Sequence, residues 1–275
     1  MLDIISRVYD PGHVEHPLRA FSKNIFSQFG EDGILEEIFK RLDFTDQPQW
    51  CVEFGAWDGK LYSNTFNFVS SHGWRAVYIE ADSTKFTDLQ KTARDWPNII
   101  PIHAFVVPEA GDEQSLERLL SKTPIPKDFA LLSIDVDSYD LDIWESLHGY
   151  SPAVVVIEVE SSFPPGILIR YDHIKGVNHF KDYWAGNSFS ATVAVGKEKG
   201  YQCVCHTGNV IFVRNDLVHK IGLDQRYLLY PELSFDPKWY RLDFEPRTGV
   251  RYHFRELTLS LLSRCTRLLS RQTVE

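Results

Sequence analysis

The sequence has few cysteines, no long apolar run and no excess of basic residues. Its four cysteines are scattered over 275 residues, a usage typical of a reducing compartment. No stretch approaches the roughly eighteen apolar residues that a membrane-spanning helix needs, and the amino-terminal residues lack the apolar core of a signal peptide. We therefore expect a cytoplasmic protein.

The charge balance argues against a general nucleic-acid-binding protein. The net charge is -9, whereas binding phosphates requires clustered lysine and arginine. Hydrophobic residues make up 43% of the chain and charged residues 24%, an ordinary composition for a globular enzyme. A chain of this length can bury one sizeable core, so we expect one domain with extensions.

The chain shows no internal repeat, and its organisation follows from alternating helical and apolar segments. The first predicted helix is EDGILEEIFKRL, with acids in its first turn and bases in its last, as the helix dipole favours. After it come five apolar runs that predict strands, each followed by a helical pattern or a loop. These runs are WCVEF, RAVYIEA, NIIPIHAFVV, FALLSIDV and AVVVIEVE.

This alternation predicts an α/β fold, a Rossmann-like doubly wound sheet with helices on both faces. The sheet should be mostly parallel and end in an antiparallel hairpin, because QCVCHTGNVIFVR reads as two strands joined at Thr207-Gly208-Asn209. Cys203 and Cys205 should share one face of their strand as packed apolar residues. Ligands should bind at the carboxyl ends of the first, fourth and fifth strands.

The domain organisation follows from the same pattern. We predict a helical cap at residues 1–45, a central domain at 46–217 and a carboxyl-terminal extension at 218–275. Within the central domain, residues 161–187 contain paired prolines and many aromatics and are a candidate substrate lid.

The extension ends in YHFRELTLSLLSRCTRLLSR, an amphipathic helical pattern rich in arginine. This helix would pack on its own domain, on a second copy in a homo-oligomer, or on a membrane surface; the pattern does not decide between these partners.

A glycine loop follows the first predicted strand in VEFGAWDGK. It is neither G-x-G-x-x-G nor a P-loop, which disfavours both nucleotide-binding readings. Gly55 would let a ligand approach the backbone, and Gly59 would relieve a second tight position. Glu53 and Asp58 add negative charge, which suits a ligand with a cation and hydroxyls better than a pyrophosphate.

VEFGAWDGKLYSNT followed by YIEAD resembles the class I S-adenosylmethionine-dependent methyltransferases. The wider pattern SQFGEDGIL, IDVDSYDLDIWESL and GYQCVCHTGNVIFVR looks like their FkbM-like branch, over roughly residues 26 to 214. The resemblance implies that Glu80 takes the ribose hydroxyls of the cofactor. It also implies further cofactor contacts: Gln28, Glu53, Gly55, Asp58, Gly59, Asn64, Ala81, His103, Ala104 and Asp135.

Independently of the resemblance, a carboxylate that ends the second strand, as Glu80 does, can accept two charge-assisted hydrogen bonds. Trp57 departs from the family pattern, since many relatives have a small polar residue there. Gln28 has two readings, a cofactor contact or a residue at the entry to a helix.

A second group of acids ends the fourth and fifth strands in SIDVDSYD and VIEVES. Asp135 and Asp137 share one face, as do Glu158 and Glu160, because side chains alternate along a strand. Two carboxylates about 4 Å apart repel by roughly 4 kcal/mol at an effective dielectric constant of about 20. Mg²⁺ or Mn²⁺ held by Asp135, Asp137 and Glu158 would relieve that repulsion, as in the metal-dependent O-methyltransferases that the pattern resembles.

Other readings of these acids stay open. Asp140 and Asp142 would cap the next helix, and alternation would point one of the acid pairs away from the site. Without a metal the reaction needs a general base, and His173 and His179 in the lid are candidates beside Asp135.

The sequence thus suggests an O-methyltransferase that acts on a sugar, glycan or related polyol. One rival is a non-catalytic module with this fold, docking through its carboxyl-terminal helix. A second is a nicotinamide-dependent oxidoreductase, which the missing G-x-G-x-x-G disfavours.

Overall fold

A computed structural model describes residues 16–44, 49–136, 139–161, 163–170 and 186–236. Their centre is a seven-stranded sheet in the order β3-β2-β1-β4-β5-β7-β6, parallel except at β7. The strands are β1 (Trp50–Phe54), β2 (Arg75–Glu80), β3 (Ile99–His103), β4 (Leu131–Ile134), β5 (Val154–Glu158), β6 (Tyr201–His206) and β7 (Asn209–Arg214). The predicted Rossmann-like sheet with an antiparallel hairpin is confirmed.

Seven α-helices are described: α1 (Glu31–Leu42), α2 (Phe66–His72), α3 (Ser83–Asp95), α4 (Leu116–Ser121), α5 (Asp140–Ser146), α6 (Phe189–Glu198) and α7 (Gln225–Leu229). Helices α1 to α3 contribute to one hydrophobic cluster and α4 to α6 to another. The two clusters lie on opposite faces of the sheet. Strand β1 shows why, since Cys51 packs into the first cluster while Val52 and Phe54 pack into the second.

Local sequence explains where these helices begin. Asp82 accepts hydrogen bonds from the backbone of Thr84 and Lys85 and caps α3. Ser188 caps α6 in the same way through the amide of Ala191. Gly30, whose φ is 99°, directly precedes helix α1, and Asp43 directly follows its last residue.

The hairpin of β6 and β7 corrects one prediction. Its turn lies at Thr207 and Gly208, as expected, but a shift in strand register separates Cys203 from Cys205. Cys203 therefore packs with α6 in the second cluster and Cys205 packs in the first. The prediction that they share a face was wrong, because a bulge resets the alternation of side chains. Both are buried free thiols, as expected.

Part of the carboxyl-terminal extension packs against the sheet. Tyr227 and Phe235 are buried, and the guanidinium of Arg19 donates to the carbonyls of His206 and Ser234. The predicted amphipathic helix lies outside the described residues. Among the helices that the structure describes, none is long and apolar enough to cross a membrane.

Candidate functional site

The sheet reverses its strand order between β1 and β4, which is where open α/β sheets bind ligands. Gly55 follows β1 at this point with a φ of 75°. A Cβ atom there would lie 1.8 Å from the carbonyl oxygen of Asp135, which follows β4. Only glycine fits, and the site therefore presents bare backbone at its centre.

A compact loop continues from Gly55. The amide of Gly59 donates to the carbonyl of Ala56 at 2.7 Å, and a Cβ on Gly59 would meet Leu89 at 2.8 Å. Asp58 Oδ1 accepts from the amides of Lys60 and Leu61, at 2.9 and 2.8 Å. Asp58 was predicted to contact the cofactor. In the structure its Oδ1 atom stabilises the loop through these two hydrogen bonds.

Two aromatic residues of this loop have left-handed backbones. The φ of Trp57 is 49° and that of Tyr62 is 59°, conformations that cost non-glycine residues roughly 1–2 kcal/mol each. Both side chains are exposed, Trp57 by 42%. The ammonium of Lys85 lies 4.0 Å from the centre of the Trp57 ring, which holds the indole at the edge of the site.

Glu80 ends β2 with its carboxylate fixed by the backbone. One oxygen accepts from the amide of Trp57 at 2.8 Å and the other from the amide of Asp82 at 2.7 Å. Each carboxylate oxygen has a second lone pair for a further donor. The carboxylate of Glu80 is thus held in a fixed orientation, and each of its oxygens can accept one further hydrogen bond.

Glu53, on β1, holds the far end of this loop. Its buried carboxylate accepts from the hydroxyl of Ser63, the amide of Asn64 at 2.9 Å and the hydroxyl of Thr65 at 2.8 Å. The Asn64 side chain donates to Ser133 on β4 at 3.1 Å. Burial raises the pKa of Glu53, and these hydrogen bonds lower it in part. Sequence reasoning missed Ser63, Thr65 and Ser133, although the polar run SNT marked the place.

The end of β3 lies next to Glu80. His103 pairs with Glu80 in the strand register and is exposed. Its ring stacks on Phe86 with centroids 4.7 Å apart, and its Nε2 lies 3.0 Å from the carbonyl of Ala81. The amide of Ala104 donates to the carbonyl of Glu80 at 3.1 Å. His103 and Ala104, which the sequence predicts as cofactor contacts, thus form one continuous edge with Glu80.

Asp135 and Glu158 occupy neighbouring positions. Ile134 pairs with Ile157, so Asp135 and Glu158 each lie one residue further along adjacent parallel strands. Asp135 is exposed and Glu158 is half-buried. Asp137 lies outside the described residues. Among the residues that are described, no group of three or more His, Cys, Asp or Glu side chains is placed to hold a metal.

The acids of α5 have other roles. Asp140 accepts from the amide of Val136 at 2.8 Å and so closes the turn after β4. Asp142 and Glu145 bind the guanidinium of Arg170 at 2.8 and 2.6 Å. This contact ties the beginning of the predicted lid to α5. The candidate bases His173 and His179 lie outside the described residues.

A buried serine and histidine lie close together near β5, where Ser161 Oγ is 3.0 Å from Nε2 of His206. Nδ1 of that ring accepts from the amide of Asp236 at 2.9 Å, so the proton of the neutral imidazole is on Nε2 and points at the serine. Burial and Arg19 lower the pKa of His206 to about 3. This pair cannot activate a serine nucleophile and serves to hold the two segments together.

Gln28 is exposed in the loop that precedes α1. The two acids that follow it, Glu31 and Asp32, were predicted only to favour the helix dipole. Both side chains are instead fully buried, and both bind backbone or side-chain donors outside the helix. No local signal in the sequence distinguishes these roles, because their partners lie in a loop and in a distant hairpin.

No protein-family model matches this chain, and no curated protein matches it. Solved structures with similar folds include a SAM-dependent methyltransferase from Aquifex aeolicus, at 12% identity, 76% of this chain, 94% of that one and a TM-score of 0.40. A putative caffeoyl-CoA O-methyltransferase from Staphylococcus aureus is 13% identical over 76% of this chain and 96% of its own, with a TM-score of 0.42.

The CMeT domain of the citrinin polyketide synthase is 13% identical over 67% of this chain, with a TM-score of 0.43. This chain spans about half, 51%, of that structure. All these similarities are distant and concern the fold, so they do not assign an activity.

Proposed function

We propose that this protein is an S-adenosylmethionine-dependent methyltransferase that methylates a hydroxyl of a sugar, glycan or related polyol. The observation that carries the proposal is that Gly55 and Glu80 lie side by side, each one residue beyond the last pair of β1 and β2, Phe54 with Ile79. Gly55 leaves the backbone bare at the switch point, and Glu80 stands beside it with both oxygens oriented. The motif around them resembles that of class I methyltransferases.

The described residues fit this cofactor. The two oxygens of Glu80 suit the paired ribose hydroxyls, since each keeps a lone pair free of its backbone bond. Gly55 admits the methionine portion against the backbone, and Glu53 supports that position through Ser63 and Thr65. His103 and Ala104 continue the edge toward the adenine. When bound, the cofactor would supply an electrophilic methyl group on its sulfonium.

The acceptor half of the site would lie over β4 and β5. An acceptor hydroxyl must lose its proton as its oxygen takes the methyl group, and a carboxylate at the strand ends can receive that proton. Asp135 is the described residue in that position. His173 and His179 remain predicted bases, since they lie outside the described residues.

A divalent metal belongs to the proposal as a further element. The carboxylates of Asp135 and Glu158 have the oxygen chemistry that Mg²⁺ and Mn²⁺ prefer, and Asp137 would complete the set. Among the described residues no third ligand of this kind joins the two. A bound metal would lower the pKa of an acceptor hydroxyl.

The proposal is tested with isotopically labelled cofactor and a panel of mono- and oligosaccharides, assayed with Mn²⁺, Mg²⁺ or a chelator. We expect label in a sugar ether, lost in Glu80→Ala and retained in the matched control Glu198→Ala. Glu198 ends α6 at the opposite edge of the sheet. Label transfer to nitrogen, carbon or sulfur acceptors alone would refute the O-methylation of sugars, and transfer that is unaltered by chelation would refute the metal.

A further inference from the structure

The loop before α1 is organised around the carboxylate of Asp32. One oxygen of this carboxylate accepts from three successive backbone amides, those of residues 25, 26 and 27, each at 2.7 Å. The Ser27 hydroxyl accepts in return from the amide of Asp32 at 3.1 Å. Asp32 is fully buried. A charged oxygen that receives three donors is a strong local anchor.

Two further contacts close the loop. The amide of Lys23 donates to the carbonyl of Gly30, and the amide of Gly33 donates to the carbonyl of Lys23. Inside the loop, Asn24 donates from its side chain to the carbonyl of Gln28 at 3.0 Å. The backbone of Gln28 is thereby held while its side chain remains exposed.

The loop is anchored on both sides of the candidate site. On one side the ring of Phe26 packs edge-on against Phe66 with centroids 4.8 Å apart, and Phe66 directly follows the residues that bind Glu53. On the other side Phe29 fills the space beside Gly208, where a Cβ would meet its ring at 2.6 Å.

Glu31 reinforces the second anchor. Its carboxylate accepts from the side chains of Thr207 and Asn209, at 2.5 and 3.0 Å, and from the amide of Phe29 at 2.8 Å. Asn209 is the register partner of Glu158 at the end of β5. The chain between Phe26 and Phe29 therefore runs from the loop after β1 to the strand beside β5.

The lengths agree with this path. Three residues span at most about 11 Å, and three strand spacings, from β1 across β4 and β5 to β7, amount to about 14 Å. Because the contacts at both ends are made by the phenylalanine rings, the two side chains cover the remaining distance of about 3 Å. The loop thus crosses the ends of β4 and β5, beside the switch point. Gln28 lies between Phe26 and Phe29. Its side-chain amide has two donors and an acceptor for a ligand bound at the ends of the strands.

We infer that Asp32 is a positioning residue, which holds the loop of residues 23–30 across the site so that the Gln28 side chain meets the bound cofactor. This inference rests on the proposed function, since it needs the cofactor to occupy the switch point. It gives the SQFGED motif a role in binding, because Gln28 makes the contact while Glu31 and Asp32 fix its place.

The test is calorimetric titration with S-adenosylhomocysteine of the full chain and of Gln28→Ala, Asp32→Asn and the double variant. We expect Gln28→Ala to weaken binding about fivefold to tenfold without lowering the melting temperature, as the loss of one hydrogen bond should. Asp32→Asn should weaken binding at least as much, and the double variant by less than a further twofold, because the two changes remove one contact.

Two other variants complete the design. Asn24→Ala removes the hydrogen bond to the Gln28 carbonyl, and because Asn24 is exposed, this variant should fold. It should also weaken binding, and it takes the place of Asp32→Asn if Asp32→Asn does not fold. Asp95→Asn, at the end of α3, is the matched control and should bind as the unaltered protein does. Equal affinity in Gln28→Ala, or fully additive effects, would overturn the inference alone. Absence of binding by the unaltered protein would overturn the proposed function with it.

Discussion

Replacing Gly55 by alanine should destabilise the protein in two ways, through the left-handed backbone at this position and through the contact of the new Cβ atom with Asp135. The left-handed φ of 75° alone costs alanine roughly 1–2 kcal/mol. The new Cβ would also lie 1.8 Å from the Asp135 carbonyl oxygen, where at least 3.0 Å is needed. The ends of β1 and β4 must therefore move apart by about 1.2 Å.

That separation adds to the backbone cost. It strains the hydrogen bond from the Asp135 amide to the Phe54 carbonyl, which is already 3.4 Å long. Overpacking of this kind costs roughly 1–3 kcal/mol. We therefore expect Gly55→Ala to lower the free energy of unfolding by about 2–5 kcal/mol, and to weaken S-adenosylhomocysteine binding at least tenfold, since the surface that should receive the cofactor moves.

Gly73→Ala is the matched control. Gly73 has a φ of 70°, but no atom lies within 4 Å of its Cβ position. It precedes β2, at the amino ends of the strands, whereas the candidate site lies at their carboxyl ends. This variant should lose only about 1–2 kcal/mol and keep its affinity. Urea denaturation and calorimetry measure both quantities. If the two variants lose equal stability and both bind normally, the tight approach of β1 and β4 does not shape the site.

Further predictions concern charge. Because burial raises the pKa of Glu53, stability from its protonated form is present at low pH and lost as the pH rises from 4.5 through the raised value; Glu53→Gln should lack that loss in denaturation curves. The pKa of His206 is instead lowered, from 6.5 to about 3. The stability that its neutral imidazole contributes therefore falls as the pH drops below 6.5. His206→Gln should reduce that slope by up to about 1.4 kcal/mol per pH unit, and an unchanged slope would contradict a neutral buried imidazole. In Asp135→Asn, calorimetric Mn²⁺ binding should be lost if the metal proposal holds; binding equal to that of the unaltered protein would exclude Asp135 as a ligand.

Local patterns predicted the sheet well. The apolar run of β1 stops at Gly55, and the structure shows that the backbone turns there against Asp135. The acid before α3 caps it, and Thr207-Gly208 turns the hairpin, because capping and turn formation depend on neighbouring residues. Glu80 ends β2, as the apolar run RAVYIEA predicted.

The rest depended on contacts that sequence neighbours do not encode. Glu31 finds its partner Asn209 178 positions away, so its pattern looked like an ordinary first helical turn. The bulge between Cys203 and Cys205 arises from pairing with β7, and alternation along one strand cannot reveal it. The structure adds that Glu53 binds the three polar residues that close the loop, and its predicted contact with the cofactor stays a prediction.

The central claim is that Gly55 and Glu80 form a site for S-adenosylmethionine. The most direct measurement is calorimetric titration of the full chain with S-adenosylhomocysteine, alongside Glu80→Ala and the control Glu198→Ala. The account predicts micromolar binding by the unaltered chain and by Glu198→Ala, and at least a hundredfold weakening in Glu80→Ala, because two charge-assisted hydrogen bonds of roughly 1.5–3 kcal/mol each are lost. No binding by the unaltered chain, or equal binding by Glu80→Ala, would contradict it.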